Sequence, residues 1–173
     1  MNKYHFVIDK INKNKKLEKI FFSKYKNYPP HSSDVLVVLG GDGFMLHALK
    51  KYQKYNKPFY GINIGTFGFL MNKLKSYNFN KSISKAKLVS ISPLEMTAVT
   101  KSNKTLSAIA INEVSLLRQS KQTAALQILT GKKVLIQKLI CDGVLVSTPA
   151  GSTAYNLSIR GPILSLNSKK LAI

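Results

Sequence analysis

The sequence predicts an α/β N-terminal domain built on a parallel sheet, followed by a β-rich C-terminal domain. Three observations carry that expectation. First, Val35-Leu36-Val37-Val38-Leu39 is an unbroken apolar run, the pattern of a strand covered on both faces. Second, this run meets Gly40-Gly41-Asp42-Gly43, then a helix-like segment, then another apolar run. Strand, glycine turn, helix and strand make a βαβ unit with a parallel pair. Third, from about residue 91 short alternating runs replace this pattern, which is the mark of antiparallel strands. The change places a boundary near Lys85–Ile91, with one domain over 1–90 and the other over 91–173.

Each element follows from its own signal. Residues 4–8 read as a short strand. Residues 10–26 carry Ile11, Leu17, Ile20, Phe21 and Phe22 among many Lys, which suits a surface helix. Tyr28-Pro29-Pro30-His31-Ser32-Ser33 reads as a loop. Phe44–Tyr52 reads as a helix and Pro58–Ile64 as the next strand. In the second half Leu94–Thr100, Thr105–Ala110, Val114–Arg118, Ala124–Leu129 and Val134–Ile140 read as strands. Thr130-Gly131-Lys132 sits between the last two as a hairpin turn.

Composition bounds the function. The chain has 173 residues, 45% of them hydrophobic, enough for one ordinary domain or two small ones with a real core. No apolar run reaches the length of a membrane span, and the first residues do not read as a signal peptide. Cys141 is the one cysteine. No internal disulfide can form, which fits a cytoplasmic location. Lys plus Arg number 27 against 7 Asp plus Glu, for a formal net charge of +20. Such a surface attracts polyanions. Yet Arg occurs only at Arg118 and Arg160, and specific readers of bases and phosphates favour the Arg fork. The favoured reading is a solvated Lys-rich surface that steers anionic nucleotides, not a nucleic-acid binder.

The few acids stand in motif-like settings. Gly40-Gly41-Asp42-Gly43 joins a buried strand to a helix, so its backbone N–H groups can face a phosphate closely. Asp42 can accept a proton from a hydroxyl or help hold Mg²⁺. It can equally cap the helix of a tight turn. No Lys-Ser or Lys-Thr follows, so this is not a Walker A loop. In Gly61-Ile62-Asn63-Ile64-Gly65-Thr66-Phe67-Gly68-Phe69-Leu70, Asn63 and Phe67 are candidates for contact with a nucleotide. Asn112-Glu113 interrupts apolar strand sequence and needs partners if buried. Cys141 to Tyr155 ends a strand in small hydroxylated residues, and a helix begins near Thr153, with Ser152 or Thr153 as its cap. His5, His31 and His47 fall in no supporting pattern for a nucleophilic Ser152. No Cys/His spacing suggests zinc.

Together and in this order, the blocks resemble the NAD kinase family: Gly-Gly-Asp-Gly, Gly-Ile-Asn-x-Gly-x-x-Gly-Phe-Leu, Asn-Glu-Val, and Asp-Gly-Val-Leu-Val-Ser-Thr-Pro-x-Gly-Ser-Thr-Ala-Tyr. The last block is highly specific, whereas lipid kinases and phosphofructokinases share the first. The resemblance runs from about Asp34 to Pro162. It implies the family's two-domain fold with the active site between the domains, and transfer of the terminal phosphoryl group of ATP to the 2′-hydroxyl of the adenosine ribose of NAD. It makes Asp42 the catalytic carboxylate acting on that hydroxyl, with Gly40, Gly41 and Gly43 bordering the phosphates. Asn112 and Glu113 would bind NAD. Asp142, Thr148, Thr153, Ala154 and Tyr155 would line the nicotinamide and adenine sides. Mg²⁺ would arrive with ATP, and the protein would be a homo-oligomer with no membrane partner.

Three features depart from the family's pattern. Phe44 stands where Thr is usual, Arg160 stands where Gly is more usual, and the chain stops at Ile173 where relatives continue through further strands. The expectation is therefore a shortened β domain with an edge that needs covering. Two other readings stay open: a lipid or other small-molecule kinase with the same glycine turn, and a non-catalytic protein that binds NAD or nucleic acid. The donor, ATP or polyphosphate, and the choice between NAD and NADH stay open as well.

Overall fold

In the computed structural model, residues 2–9, 15–65, 68–74 and 79–173 are described. The chain divides into two compact units, Met1–Leu88 and Val89–Ile173.

The first unit holds strands β1 (Tyr4–Ile8), β2 (Val35–Gly40), β3 (Phe59–Asn63) and β4 (Asn72–Lys73), with helices α1 (Lys15–Lys24), α2 (Asp42–Tyr52) and α3 (Phe79–Ser84). The strands form one sheet in the order β1-β2-β3-β4, and every pairing is parallel. All six residues of β2 are buried, as its apolar run requires. Val35, Val37 and Leu39 pack with Tyr4, Phe6 and Phe21 of α1. Val38 packs with Met45 and Ala48 of α2. Alternate side chains of one strand thus meet α1 on one face and α2 on the other. Aromatic packing dominates the α1 face, where the Phe6 and Phe21 rings lie 5.7 Å apart.

The second unit holds β5 (Leu94–Val99), β6 (Thr105–Ala110), β7 (Glu113–Leu117), β8 (Ala124–Thr130), β9 (Lys133–Cys141), β10 (Gly143–Ser147) and a short helix, α4 (Tyr155–Ser158). The pairings β5–β6, β8–β9 and β7–β10 are antiparallel. Gly131 takes φ 56° at the first central position of the β8–β9 turn, a conformation that glycine adopts without strain. The parallel and strand-rich halves agree with the fold class expected from the sequence.

Several boundaries differ. α2 begins at Asp42, because the glycine turn is already its first turn. The helix expected over 10–26 is described over Lys15–Lys24, and residues 10–14 lie outside the described set. The loop expected at 28–33 contains a 3-10 turn at Pro30–Ser32. The helix expected near Thr153 is split into a 3-10 turn, Gly151–Thr153, and α4, and neither has a side-chain cap. Ser152 turns inward instead. Its Oγ donates to the Pro149 carbonyl at 2.7 Å and accepts the Leu164 N–H at 3.0 Å.

α4 ends in a Schellman motif. The Gly161 N–H reaches the Asn156 carbonyl at 2.8 Å and the Arg160 N–H reaches that of Leu157 at 3.0 Å. Arg160 supplies the left-handed residue, with φ 64°. That conformation is why glycine is the usual residue at such a position.

Candidate functional site

In the first unit the site grows from the junction of β2 and α2. Gly41 precedes the helix in extended backbone, φ −108° and ψ −177°, which any residue can adopt. Gly43 is the second residue of α2. Nothing lies within 4 Å of a Cβ built on either glycine. Neither packing nor backbone conformation calls for glycine there. Gly43 costs the helix about 0.5–1 kcal/mol relative to Ala. What the two glycines leave is uncovered backbone at a helix N-terminus, where N–H groups and the dipole favour an anion. Gly40 differs: a Cβ there would stand 2.7 Å from Phe44 Cδ1, so glycine at 40 makes room for Phe44.

Asp42 is not the cap of α2, since Gly41 occupies that position. Its carboxylate reaches across to the second glycine-rich block. Phe69 N–H donates to Oδ2 at 2.7 Å and Leu70 N–H to Oδ1 at 3.0 Å. Two of its roughly four acceptor sites are therefore used by backbone, and the others remain for a hydroxyl or a cation. Asn63 sits opposite Gly40 in the β2–β3 register, so the two blocks meet at the carboxyl ends of adjacent strands. Its Oδ1 accepts the Gly65 N–H at 2.8 Å, which leaves its amide N–H₂ for a ligand. Phe67 lies outside the described residues.

The second unit carries a separate group of candidates. β7 begins at Glu113, paired with Ser147 of β10. Asn112 Oδ1 and Glu113 Oε2 are buried acceptors with no hydrogen-bond partner among the described residues. Buried acceptors of this kind are rare and call for a donor. Burial pushes the Glu113 carboxyl above its ordinary value, because the charged form is the one that loses water. The backbone beside them is tightly fixed. Thr148 N–H donates to the Asn112 carbonyl at 2.8 Å, and Thr148 Oγ1 donates to the Ile111 carbonyl at 2.6 Å. A Cβ on Gly151 would stand 2.2 Å from the Asn112 carbonyl oxygen. Only glycine lets these two segments approach so closely.

Thr148 is therefore a buried support for the Asn112 backbone. Thr153 and Ala154 form the turn into α4, and Tyr155, at its start, is exposed. Asp142 is elsewhere in character. Its side chain is 73% exposed and pairs with Arg118 Nε at 2.6 Å. Arg118 also donates to the Ser120 carbonyl. Sequence reasoning missed Asn156, which is buried and donates through Nδ2 to the carbonyls of Ser152 at 3.1 Å and Pro162 at 2.9 Å. Its one signal was a polar residue two places before a polar helix end. Ser147, the last residue of β10, is also fully buried.

Comparison with known proteins gives the family. Residues 2–87 match the ATP-NAD kinase N-terminal domain and residues 111–173 match the ATP-NAD kinase C-terminal domain. The chain belongs to the NAD kinase family. It is 46% identical over 169 residues to an NAD kinase of Brucella suis, covering 98% of this chain and 66% of that protein. It is 51% identical over 139 residues to an NAD kinase of Mesorhizobium japonicum, covering 80% and 54%. The chain thus spans between about half and two thirds of the length of these relatives. Its fold is similar to that of yeast NADH kinase solved with NADH, with a TM-score of 0.73 at 23% identity over 99% of this chain and 64% of that one. It is also similar to an Archaeoglobus fulgidus NAD kinase solved with ATP, with a TM-score of 0.66 at 22% identity over 99% and 71%. The glycine turn at 40–43 lies within the N-terminal match, and the Asn-Glu pair at 112–113 and the Ser-Thr-Ala-Tyr block at 152–155 lie within the C-terminal match.

Proposed function

We propose that this chain transfers the terminal phosphoryl group of ATP to the 2′-hydroxyl of the adenosine ribose of NAD, giving NADP and ADP. The observation that carries the reading is Asp42 flanked by Gly41 and Gly43. Neither glycine serves the fold, and both leave a helix N-terminus uncovered beside a carboxylate. In this reading the backbone N–H groups at 41–43 hold phosphate oxygens. Asp42 takes the proton from the 2′-hydroxyl as its oxygen attacks phosphorus, the bond to the leaving phosphate breaks, and ADP departs. The Phe69 and Leu70 N–H groups keep the carboxylate aimed.

Asn112 and Glu113 are the proposed NAD contacts, since their buried acceptors match hydroxyl or amino donors. Thr153, Ala154 and Tyr155 are proposed to line the same ligand, with Thr148 acting on it only through the Asn112 backbone it holds, and with Asn63 and Phe67 near a nucleotide. Asp142 is the weakest member, because its exposed ion pair gives it another role. Mg²⁺ is proposed to come with the triphosphate. No group of three or more His, Cys, Asp or Glu among the described residues could hold it. Mg²⁺ by its chemistry takes most of its ligands from phosphate and water. Asp42 is the carboxylate in the turn that could add an oxygen. The cation supplies charge neutralisation on the transferring phosphoryl group.

We further propose a homo-oligomer in the cytoplasm. Exposed apolar strand residues such as Val99 and Ile109, at 67% and 68%, support self-association. The lone Cys141 suits a reducing compartment. Among the described residues no helix is long and apolar enough to cross a membrane.

The test is NADP formation from NAD, ATP and Mg²⁺ by wild type and Asp42→Asn, with NAD affinity measured on both. The expected outcome is a fall in turnover of roughly 10²–10⁴-fold in the variant with NAD still bound. Turnover within a few-fold of wild type would remove Asp42 from the chemistry. A folded wild type that binds NAD without turnover would favour the non-catalytic reading.

A further inference from the structure

At one end of the first unit a run of contacts links aromatic residues that carry lysines. Tyr28 lies under two ammonium groups, Lys3 Nζ at 5.9 Å and Lys26 Nζ at 5.3 Å from its ring centroid. The Tyr28 carbonyl accepts a hydrogen bond from His5 Nδ1 at 2.7 Å. The His5 ring lies 5.5 Å from that of Tyr52. Tyr52 carries Lys51 Nζ at 5.2 Å. The Tyr55 ring, 6.1 Å from that of Tyr52, carries Lys54 Nζ at 5.3 Å. The four lysines are exposed and the three tyrosines half-buried, so the rings are held by the protein while the cations stand in water.

The run is separate from the glycine turn. Lys3 and His5 lie at the start of β1, whereas Gly40 ends β2. Tyr52 closes α2, an 11-residue helix about 16 Å long, and Asp42 opens it. One carboxylate stands beside the run: Asp34, whose Oδ2 accepts the Lys3 backbone N–H at 2.7 Å. Lys50 and Lys51 also complement the carbonyl end of α2. That role accounts for neither Lys3, Lys26 and Lys54 nor the rings of Tyr28 and Tyr55.

We propose that this run is a binding surface for single-stranded nucleic acid, with the ammonium groups on phosphates and the tyrosine rings against bases. Cations that track a backbone beside anchored aromatic faces are the two components such recognition uses. Several linked rings, each with its own cation, suit a strand of several nucleotides better than a single nucleotide. The proposal does not depend on the kinase reading.

Fluorescence anisotropy with a labelled oligothymidylate of about 20 nucleotides tests it. Wild type should bind at low salt and weaken as salt rises. The pair Lys51→Ala and Lys54→Ala should lower affinity roughly tenfold and reduce the salt slope by about 1.4. The pair Lys132→Ala and Lys133→Ala removes the same charge from the β8–β9 turn and should change neither. Tyr55→Leu should weaken the oligonucleotide while leaving binding of inorganic polyphosphate of similar length unchanged. Equal losses from both lysine pairs would reduce the effect to net charge and overturn the proposal. So would the absence of binding by wild type, or polyphosphate binding as tight as the oligonucleotide. Should Tyr55→Leu melt early, the exposed lysine pairs decide the matter alone.

Discussion

Arg160 shows how a single residue can be visible in a sequence while its reason is not. The motif marks it as unusual, but only the backbone shows why: φ 64° at the end of α4. Holding a non-glycine residue there costs roughly 1–2 kcal/mol. Arg160→Gly should therefore raise stability by about 1 kcal/mol in denaturant melts, less what the more flexible unfolded chain takes back. A lower midpoint would mean that the Arg side chain contributes more than its backbone costs. Glu113 makes a prediction with a sign. Burial raises its proton affinity in the folded state, so the folded chain binds more protons than the unfolded one between the two values. Stability from this group is greatest at low pH and falls as pH rises from the ordinary Glu value through the folded one. Glu113→Gln lacks that titration. Its advantage over wild type should grow as pH rises above the ordinary Glu value, and parallel stability curves would contradict this. Asp42→Asn carries a structural cost as well, because an amide cannot accept from both Phe69 and Leu70 without turning N–H₂ toward an N–H. A loss of roughly 1–3 kcal/mol is expected, so its turnover must be read on folded protein.

The elements were legible in proportion to how local their causes are. β2 declares itself through an apolar run, and the β8–β9 hairpin through Gly131 between alternating strands. β4 is two residues long and exists only through its pairing with Ile62 and Asn63 of β3, so nothing in Asn72-Lys73 announces it. Ser152 fits the residue type of a helix cap, yet its hydroxyl is taken by Pro149 and Leu164, and the latter contact lies twelve residues away. Sequence reasoning sees the type and not the competitor. α2 yields the sharpest test of an element shaped by a ligand. Gly43→Ala should stabilise the helix by about 0.5–1 kcal/mol, since the site is open and Ala is the better helix former. If 41–43 holds phosphate, the same change should raise KM for ATP. A more stable variant with unchanged KM would mean that the glycine does not serve a nucleotide.

For the whole molecule, hydrophobic patterning told the fold class more readily than composition told partners. The parallel first unit and strand-rich second unit follow from hydrophobic patterning, which is summed over many residues and survives local exceptions. The candidate residues were found through their types, but their surroundings depend on contacts distant in sequence. The Asp42 bond to Leu70, 28 positions on, is one such contact. Charge is the property that belongs to the whole chain. A formal +20 on 173 residues repels itself in the compact state. Added monovalent salt should screen that repulsion within a Debye length of about 10 Å at 0.1 M. The melting temperature should therefore rise between low and moderate salt, where a chain of balanced charge would change little. A flat response would place the lysines too far apart to matter.

Strand β2 is hydrogen-bonded to a neighbour on each side and buried along its whole length. Its amides have no local route to solvent. In deuterated buffer those of Val35–Leu39 should exchange last in the first unit, at the rate set by complete opening of that unit. Amides of the two-stranded β8–β9 hairpin, with residues exposed on both strands, should exchange far sooner. The slowest protons would then report the stability of the platform that carries Asp42.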